Sequence, residues 1–139
     1  MRVAEIMTPD VETIDTDASI HEAAAKMTLA DVGCLPVSNG LRLEGLITDR
    51  DIIVRAIARS ADPANTKVAE LMTREIVYCF EDQTVDEAMY AMGEKRIRRL
   101  PVLSREKRLI GIVSTRDIAV RVNDEKLVAK LLRQISEEC

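Results

Sequence analysis

The feature that most constrains this chain is that it contains the same segment twice. When residues 3 to 37 are laid over 68 to 102, an offset of 65, 12 of 35 positions are identical, among them Glu5, Met7, Thr8, Leu35, Pro36 and Val37. Unrelated segments would agree at about two or three, so the chain is an internal duplication. After a one-residue insertion the offset becomes 66, and Gly45-Leu46-Ile47-Thr48-Asp49-Arg50-Asp51-Ile52 falls on Gly111-Ile112-Val113-Ser114-Thr115-Arg116-Asp117-Ile118. A copy of roughly 50 to 60 residues is too short to bury a robust core alone, so the halves are expected to pack about a pseudo-two-fold axis. Repeat one is placed at about 3–59, a linker at 60–66 (Ser60-Ala61-Asp62-Pro63-Ala64-Asn65-Thr66), and repeat two at 67–122.

Hydrophobic periodicity gives each copy the order β-α-β-β-α, and hence an α/β (α+β) fold. In copy one, Val11 to Ile14 reads as a strand. Ser19-Ile20-His21-Glu22 reads as a capping box opening a helix with Ile20, Ala23, Ala24 and Met27 on one face. Strands follow at Cys34 to Val37 and Leu43 to Ile47, joined by a turn at Asn39-Gly40, and a helix is predicted from Asp49 to Arg59. In copy two, Thr84-Val85-Asp86-Glu87 is the matching box. Beyond Val122, Leu127, Val128, Leu131, Leu132 and Ile135 fall at helical spacing, which predicts a last amphipathic helix over 124–138, outside the repeat. A solvated apolar stripe is unfavourable, so this helix is expected to pack back on the module rather than on a partner.

Composition narrows the function classes. With 20 basic and 24 acidic residues the net charge is −4, which gives no basic footprint for nucleic acid. No apolar run approaches a membrane span and the N-terminus lacks a signal-peptide apolar region, so the expected location is cytoplasmic. His21 is the lone histidine, and Cys34, Cys79 and Cys139 form no Cys-x-x-Cys pair. No catalytic triad or metal-ligand spacing is legible, and no enzyme activity or metal site is expected. The cysteines read as reduced thiols. Cys34 reads first as a small buried apolar residue and second as a redox sensor.

Chemistry concentrates in Thr48-Asp49-Arg50-Asp51 and Ser114-Thr115-Arg116-Asp117, each following an apolar strand with Gly at its centre. A hydroxyl with a carboxylate three residues on is a capping box, and taken singly either copy is accounted for as a helix cap. A helix start also offers N–H donors to phosphate, Arg50 and Arg116 add charge-assisted donors, and Asp51 and Asp117 are suited to accepting two vicinal ribose hydroxyls. Phosphate and ribose recognition within four residues points to a nucleotide.

In these stretches the chain resembles the CBS-domain family, whose paired repeats form the Bateman module. Ile6-Met7-Thr8-Pro9 and Leu71-Met72-Thr73 at the repeat starts, Gly33-Cys34-Leu35-Pro36-Val37 and Arg98-Arg99-Leu100-Pro101-Val102, and the two Gly-x-x-[Thr/Ser]-x-x-Asp stretches carry the likeness, in order and duplicated, over nearly all of residues 3 to 122. The resemblance implies a regulatory module with ligands in the cleft between repeats: AMP, ADP or ATP commonly, S-adenosylmethionine or NAD-type molecules less often. It implies that Asp51 and Asp117 hold ribose, that Thr48, Arg50, Ser114 and Arg116 meet phosphates, and that Thr115 belongs to the nucleotide-binding set. The segments after the Met-Thr starts, including Thr8, Glu12, Thr73 and Val77, would face the base largely through backbone groups.

Arg98 and Arg99 stand where relatives carry cationic residues toward phosphate, whereas copy one has Gly33 and Cys34, so unequal sites are expected. Arg98 and Arg99 also read as part of a solvated cluster with Lys95, Arg96, Arg105, Lys107 and Arg108. A homodimer of four repeats is implied by the family alone. The competing reading is an interaction protein that binds a protein partner without nucleotide, in which the Thr/Ser-x-x-Asp pairs are caps only.

Overall fold

Each copy builds its body on two antiparallel strands joined by a tight connection, with a helix leading in and another leading out. The computed structural model describes residues 1–40 and 42–137. Its elements are α1 (Val3–Ile6), β1 (Thr8–Pro9), β2 (Ile14–Asp15), α2 (Ile20–Ala30), β3 (Cys34–Ser38), β4 (Leu43–Thr48), α3 (Asp49–Arg55), a 3-10 turn (Ile57–Arg59), α4 (Val68–Leu71), β5 (Cys79–Phe80), α5 (Val85–Lys95), β6 (Arg99–Leu103), β7 (Leu109–Ser114), α6 (Thr115–Arg121) and α7 (Glu125–Ser136). The fold is α/β, with one sheet of order β2-β3-β4 and another of order β1-β7-β6-β5.

These elements form two compact units that differ from the two sequence copies: residues 11–76 make one, and residues 1–10 with 77–139 make the other. We call them the middle unit and the terminal unit. In the terminal unit, the start of copy one docks on the body of copy two. Val3 donates its N–H to the Gln83 carbonyl at 2.9 Å, β1 pairs antiparallel with β7, and Val3 and Ile6 enter the core with Leu100, Val102, Val113 and Ile118. In the middle unit, the start of copy two docks on the body of copy one. Val68 donates to the Ala18 carbonyl at 2.8 Å, and Val68, Leu71 and Met72 join Ile20, Leu35, Val37 and Ile47 in the core. Each short body thus acquires a helical turn and an extended segment that its own sequence copy does not supply, which enlarges a core otherwise too small.

Local chemistry explains the boundaries. Ser19 and Thr84 cap α2 and α5, their hydroxyls accepting from the N–H groups of Glu22 and Glu87 at 3.1 and 3.2 Å. The full capping box forms at Thr84; at Ser19 the structure gives its hydroxyl half. Two predicted boundaries are corrected. The strand expected over residues 11–14 is β2 at Ile14–Asp15, which lies parallel on β3 through two register pairs, Ile14 with Val37 and Asp15 with Ser38. The helix expected from Asp49 to Arg59 stops at Arg55 and resumes as the 3-10 turn, where the buried Ala56 receives the N–H of Ala61. The last helix, α7, packs on α5 within the terminal unit, burying Leu131 and Ile135. This is the packing expected of it; Glu138 lies outside the described residues.

Cys79 is 3% exposed in β5, and burial pushes its thiol up to about 12. In a Cys34→Ser/Cys139→Ser background at pH 8, Cys79 is therefore expected to resist Ellman's reagent and to react only as denaturant unfolds the terminal unit. Prompt stoichiometric labelling of the native protein would contradict this burial.

Candidate functional site

β4 and β7 each end in a hydroxyl residue that turns directly into a helix. In the middle unit, Thr48 Oγ1 accepts from the Asp51 N–H at 3.1 Å while Asp51 Oδ2 accepts from the Thr48 N–H at 2.9 Å. In the terminal unit, Ser114 Oγ accepts from the Asp117 N–H at 3.2 Å, and Asp117 Oδ2 accepts from the Ser114 N–H at 2.9 Å and from its hydroxyl at 3.1 Å. Both motifs are therefore complete capping boxes, and the caps fix where the carboxylates point.

The sheets gather further sequence candidates around them. Cys34 is the register partner of Thr48, and Arg99 that of Ser114. The residue before each of these is tied to the helix start: the Asp49 N–H donates to the Gly33 carbonyl at 2.9 Å, and the Thr115 N–H to the Arg98 carbonyl at 3.0 Å. In the terminal unit the exchanged segment completes the cluster, because Thr8 Oγ1 donates to Asp117 Oδ1 at 3.2 Å from 109 residues away. Thr73, the equivalent of Thr8, pairs with Leu46 through its backbone N–H at 2.8 Å and its carbonyl at 3.0 Å. There Asp51 Oδ1 instead lies 3.8 Å from Nε of Arg55, whose Nη1 donates to the Leu71 carbonyl at 2.8 Å.

The glycine at the centre of each motif has a steric cause. A Cβ on Gly45 would lie 2.6 Å from the Thr73 carbonyl oxygen and 2.9 Å from Met72 Sδ; one on Gly111 would lie 2.9 Å from the Thr8 carbonyl oxygen and 2.6 Å from Met7 Sδ. The exchanged segments run against bare α-carbons, which is what brings Thr8 and Thr73 alongside β7 and β4.

Other sequence candidates are placed differently. Glu12 is exposed, its carboxylate 3.6 Å from Lys26 Nζ. Val77 packs its side chain on the terminal unit's apolar core. Cys34 is 7% exposed, which fits the apolar reading of that residue. Arg50 and Arg116 are exposed beside their motifs.

The basic cluster of copy two divides. Arg105 donates to both carboxylate oxygens of Asp82, at 2.8 and 2.7 Å, and lies 4.2 Å from the Phe80 ring centre. That guanidinium holds the Asp82 carboxyl below the usual carboxylate range. Arg96 pairs with Glu137 at 3.4 Å. Arg98 and Arg99 are exposed, as Arg96 and Arg105 are, and lie next to Ser114 and Thr115. Sequence reasoning missed Arg55 and the contribution of Met7 and Met72; the signal for the methionines was their identity in both copies.

Among the described residues no group of three or more His, Cys, Asp and Glu is suited to a metal ion, and no helix is long and apolar enough to cross a membrane.

Comparison with known proteins agrees with this architecture. The CBS domain family model matches twice, at residues 3–57 and 68–124. The CBS domain-containing protein YhcV of Bacillus subtilis is 35% identical over 136 residues, covering 98% of this chain and 96% of its own. The crystal structure of Hypoxic Response Protein I, which carries two coordinated zinc ions, superposes with a TM-score of 0.80 at 33% identity, over 88% of this chain and 99% of that one. The CBS domain pair of protein MJ0100, solved in complex with 5′-methylthioadenosine and S-adenosyl-L-methionine, gives a TM-score of 0.76 at 30% identity, over 86% of this chain and 94% of that one. Two matches of the family model, falling on the two copies of an internal duplication, place this chain in the CBS-domain family as a tandem pair of CBS repeats.

Proposed function

We propose that the chain is a regulatory module that binds adenine nucleotides, AMP, ADP or ATP, and has no catalytic activity of its own. The observation that carries this reading is the cluster of Thr8, Ser114 and Asp117 in the terminal unit, with Arg98, Arg99, Thr115 and Arg116 beside it. Asp117 presents one oxygen to the cap and the other to the Thr8 hydroxyl, the position a ribose hydroxyl would take as donor. The three arginines supply charge-assisted donors for phosphate. In the middle unit, Asp51, Thr48 and Arg50 are the equivalent groups. The adenosine-containing ligands of the MJ0100 pair support the same chemical class.

Such a module acts by shifting the population of an assembly that another protein reads. By resemblance to the family we propose that this assembly is a homodimer, located in the cytoplasm; the exposed apolar side chains of Ile53, Val54 and Ile57, at 60%, 48% and 58% exposure, support burial against another chain.

A panel of AMP, ADP, ATP, NAD, S-adenosylmethionine and GTP in a thermal-unfolding assay tests the proposal. A ligand at about 100 times its Kd adds roughly 2.7 kcal/mol. The expected result is a rise of several degrees with an adenine nucleotide, lost in Asp117→Asn while the ligand-free midpoint moves little, since asparagine still accepts from Ser114. If no adenine ligand shifts the midpoint at millimolar concentration, the nucleotide reading fails. The second reading, an interaction protein that uses these motifs as caps only, then takes its place; the completeness of both capping boxes favours it.

A further inference from the structure

The turn leading into β3 and β6 carries a charge inversion between the copies. Gly33 corresponds to Arg98, and Asp49 to Thr115. Their backbones are held alike, by N–H to carbonyl bonds of 2.9 and 3.0 Å. In the middle unit the Asp49 carboxylate lies over the Gly33 α-carbon: a Cβ there would fall 2.7 Å from Oδ2 and 3.2 Å from Cγ. In the terminal unit the side chain of Arg98 begins at that point, beside a hydroxyl. The next position continues the contrast, with buried Cys34 aligned on Thr48 and exposed Arg99 aligned on Ser114. The middle unit therefore offers Asp49 and Asp51 against Arg50 and Arg55, and the terminal unit Arg98, Arg99 and Arg116 against Asp117.

We infer that the two units select different ligands: the terminal unit an adenine nucleotide with an anionic 5′ group, the middle unit an adenine nucleoside whose 5′ substituent is uncharged or cationic. Asp49 is the residue that makes the difference. This deepens the adenine-nucleotide reading above and rests on it. A phosphate brought to the Gly33 backbone meets the Asp49 carboxylate at contact distance, a repulsion that lowers affinity about ten- to hundredfold in a partly solvated site. A 5′-thioether meets no such penalty, and a sulfonium is attracted. Gly33 and Asp49 also belong together sterically, because any side chain at 33 must displace the carboxylate.

Calorimetric titration with AMP and with 5′-methylthioadenosine reads this directly. The wild-type chain is expected to take one AMP, and to take one 5′-methylthioadenosine even when AMP is saturating. Asp49→Thr, which installs the terminal unit's residue at an exposed position, is expected to take a second AMP with an affinity gain of about tenfold or more. Gly33→Arg/Asp49→Thr should tighten it further; Asp49→Asn checks that charge rather than shape is responsible. Two equivalent AMP sites in the wild type overturn the inference and leave the nucleotide reading standing, as does an Asp49→Thr variant that still takes one AMP. Absence of binding by both ligands overturns the inference, and it overturns the nucleotide reading as well where ADP and ATP also fail to bind.

Discussion

Replacing Gly111 with valine is expected to lower the thermal midpoint by roughly 5–10 °C, and the same change at Gly45 to do so by a similar amount. A Cβ at Gly111 lands 2.9 Å from the Thr8 carbonyl oxygen, and one at Gly45 lands 2.6 Å from that of Thr73. The methionine sulfurs near both positions can swing aside, but the carbonyls cannot. Thr8 is paired with Ile112 in the β1–β7 ladder, and the Thr73 carbonyl accepts from the Leu46 N–H at 3.0 Å. Relieving the clash means lifting the exchanged segment, and with it Val3 and Ile6 in one unit or Val68 and Leu71 in the other, all 7% exposed or less. Overpacking of this kind costs about 1–3 kcal/mol. Alanine should cost less than valine at both positions, and Val120→Ala, at 73% exposure, should be nearly neutral. Valine tolerated at Gly111 within a degree or two would mean that residues 1–10 are not docked on β7 as described.

The same two glycines mark the limit of what the sequence disclosed. Element order follows from periodicity and caps, because those act between residues three or four apart: Ser19 with Glu22, Thr84 with Glu87, Thr48 with Asp51. The motif Gly-x-x-[Thr/Ser]-x-x-Asp is likewise local, and the β3–β4 and β6–β7 hairpins bring Gly33 and Arg98 to it in predictable register. The exchange of the repeat starts was not legible, because two similar copies make either body an equally good partner for either start. Nothing in residues 3 to 10 states that they will lie on β7 rather than β4; only the length of connecting chain and the packing decide it. The Thr8–Asp117 bond, which depends on the exchange, was hidden for the same reason. The approach of the Asp49 carboxylate to the bare α-carbon of Gly33 was not legible either, because it is a contact between residues 16 apart.

Leu131→Ala is expected to destabilise the terminal unit by roughly 2–4 kcal/mol, a fall in midpoint on the order of 10 °C, whereas Leu132→Ala next to it should cost under about 0.5 kcal/mol. Leu131 is 3% exposed and Leu132 45%. The difference arises from α7, which has no counterpart in the middle unit. It lays Leu131 and Ile135 on α5, where Met89, Met92 and Gly93 are buried, with the Gln134 side chain over the bare α-carbon of Gly93. At the equivalent positions of α2 the chain has Ala24, Met27 and Thr28, and both Ala24 and Thr28 are exposed. The duplicated helices have thus diverged according to what covers them: Met89 and Gly93 suit a helix neighbour, Ala24 and Thr28 suit water. Deleting the chain after Asn123 should accordingly destabilise more than Leu131→Ala, since it uncovers that whole face of α5 and exposes Val122, which packs against the same core. Equal, small losses for Leu131→Ala and Leu132→Ala would place α7 off the core, and the contrast between Met89 and Ala24 would then need another cause.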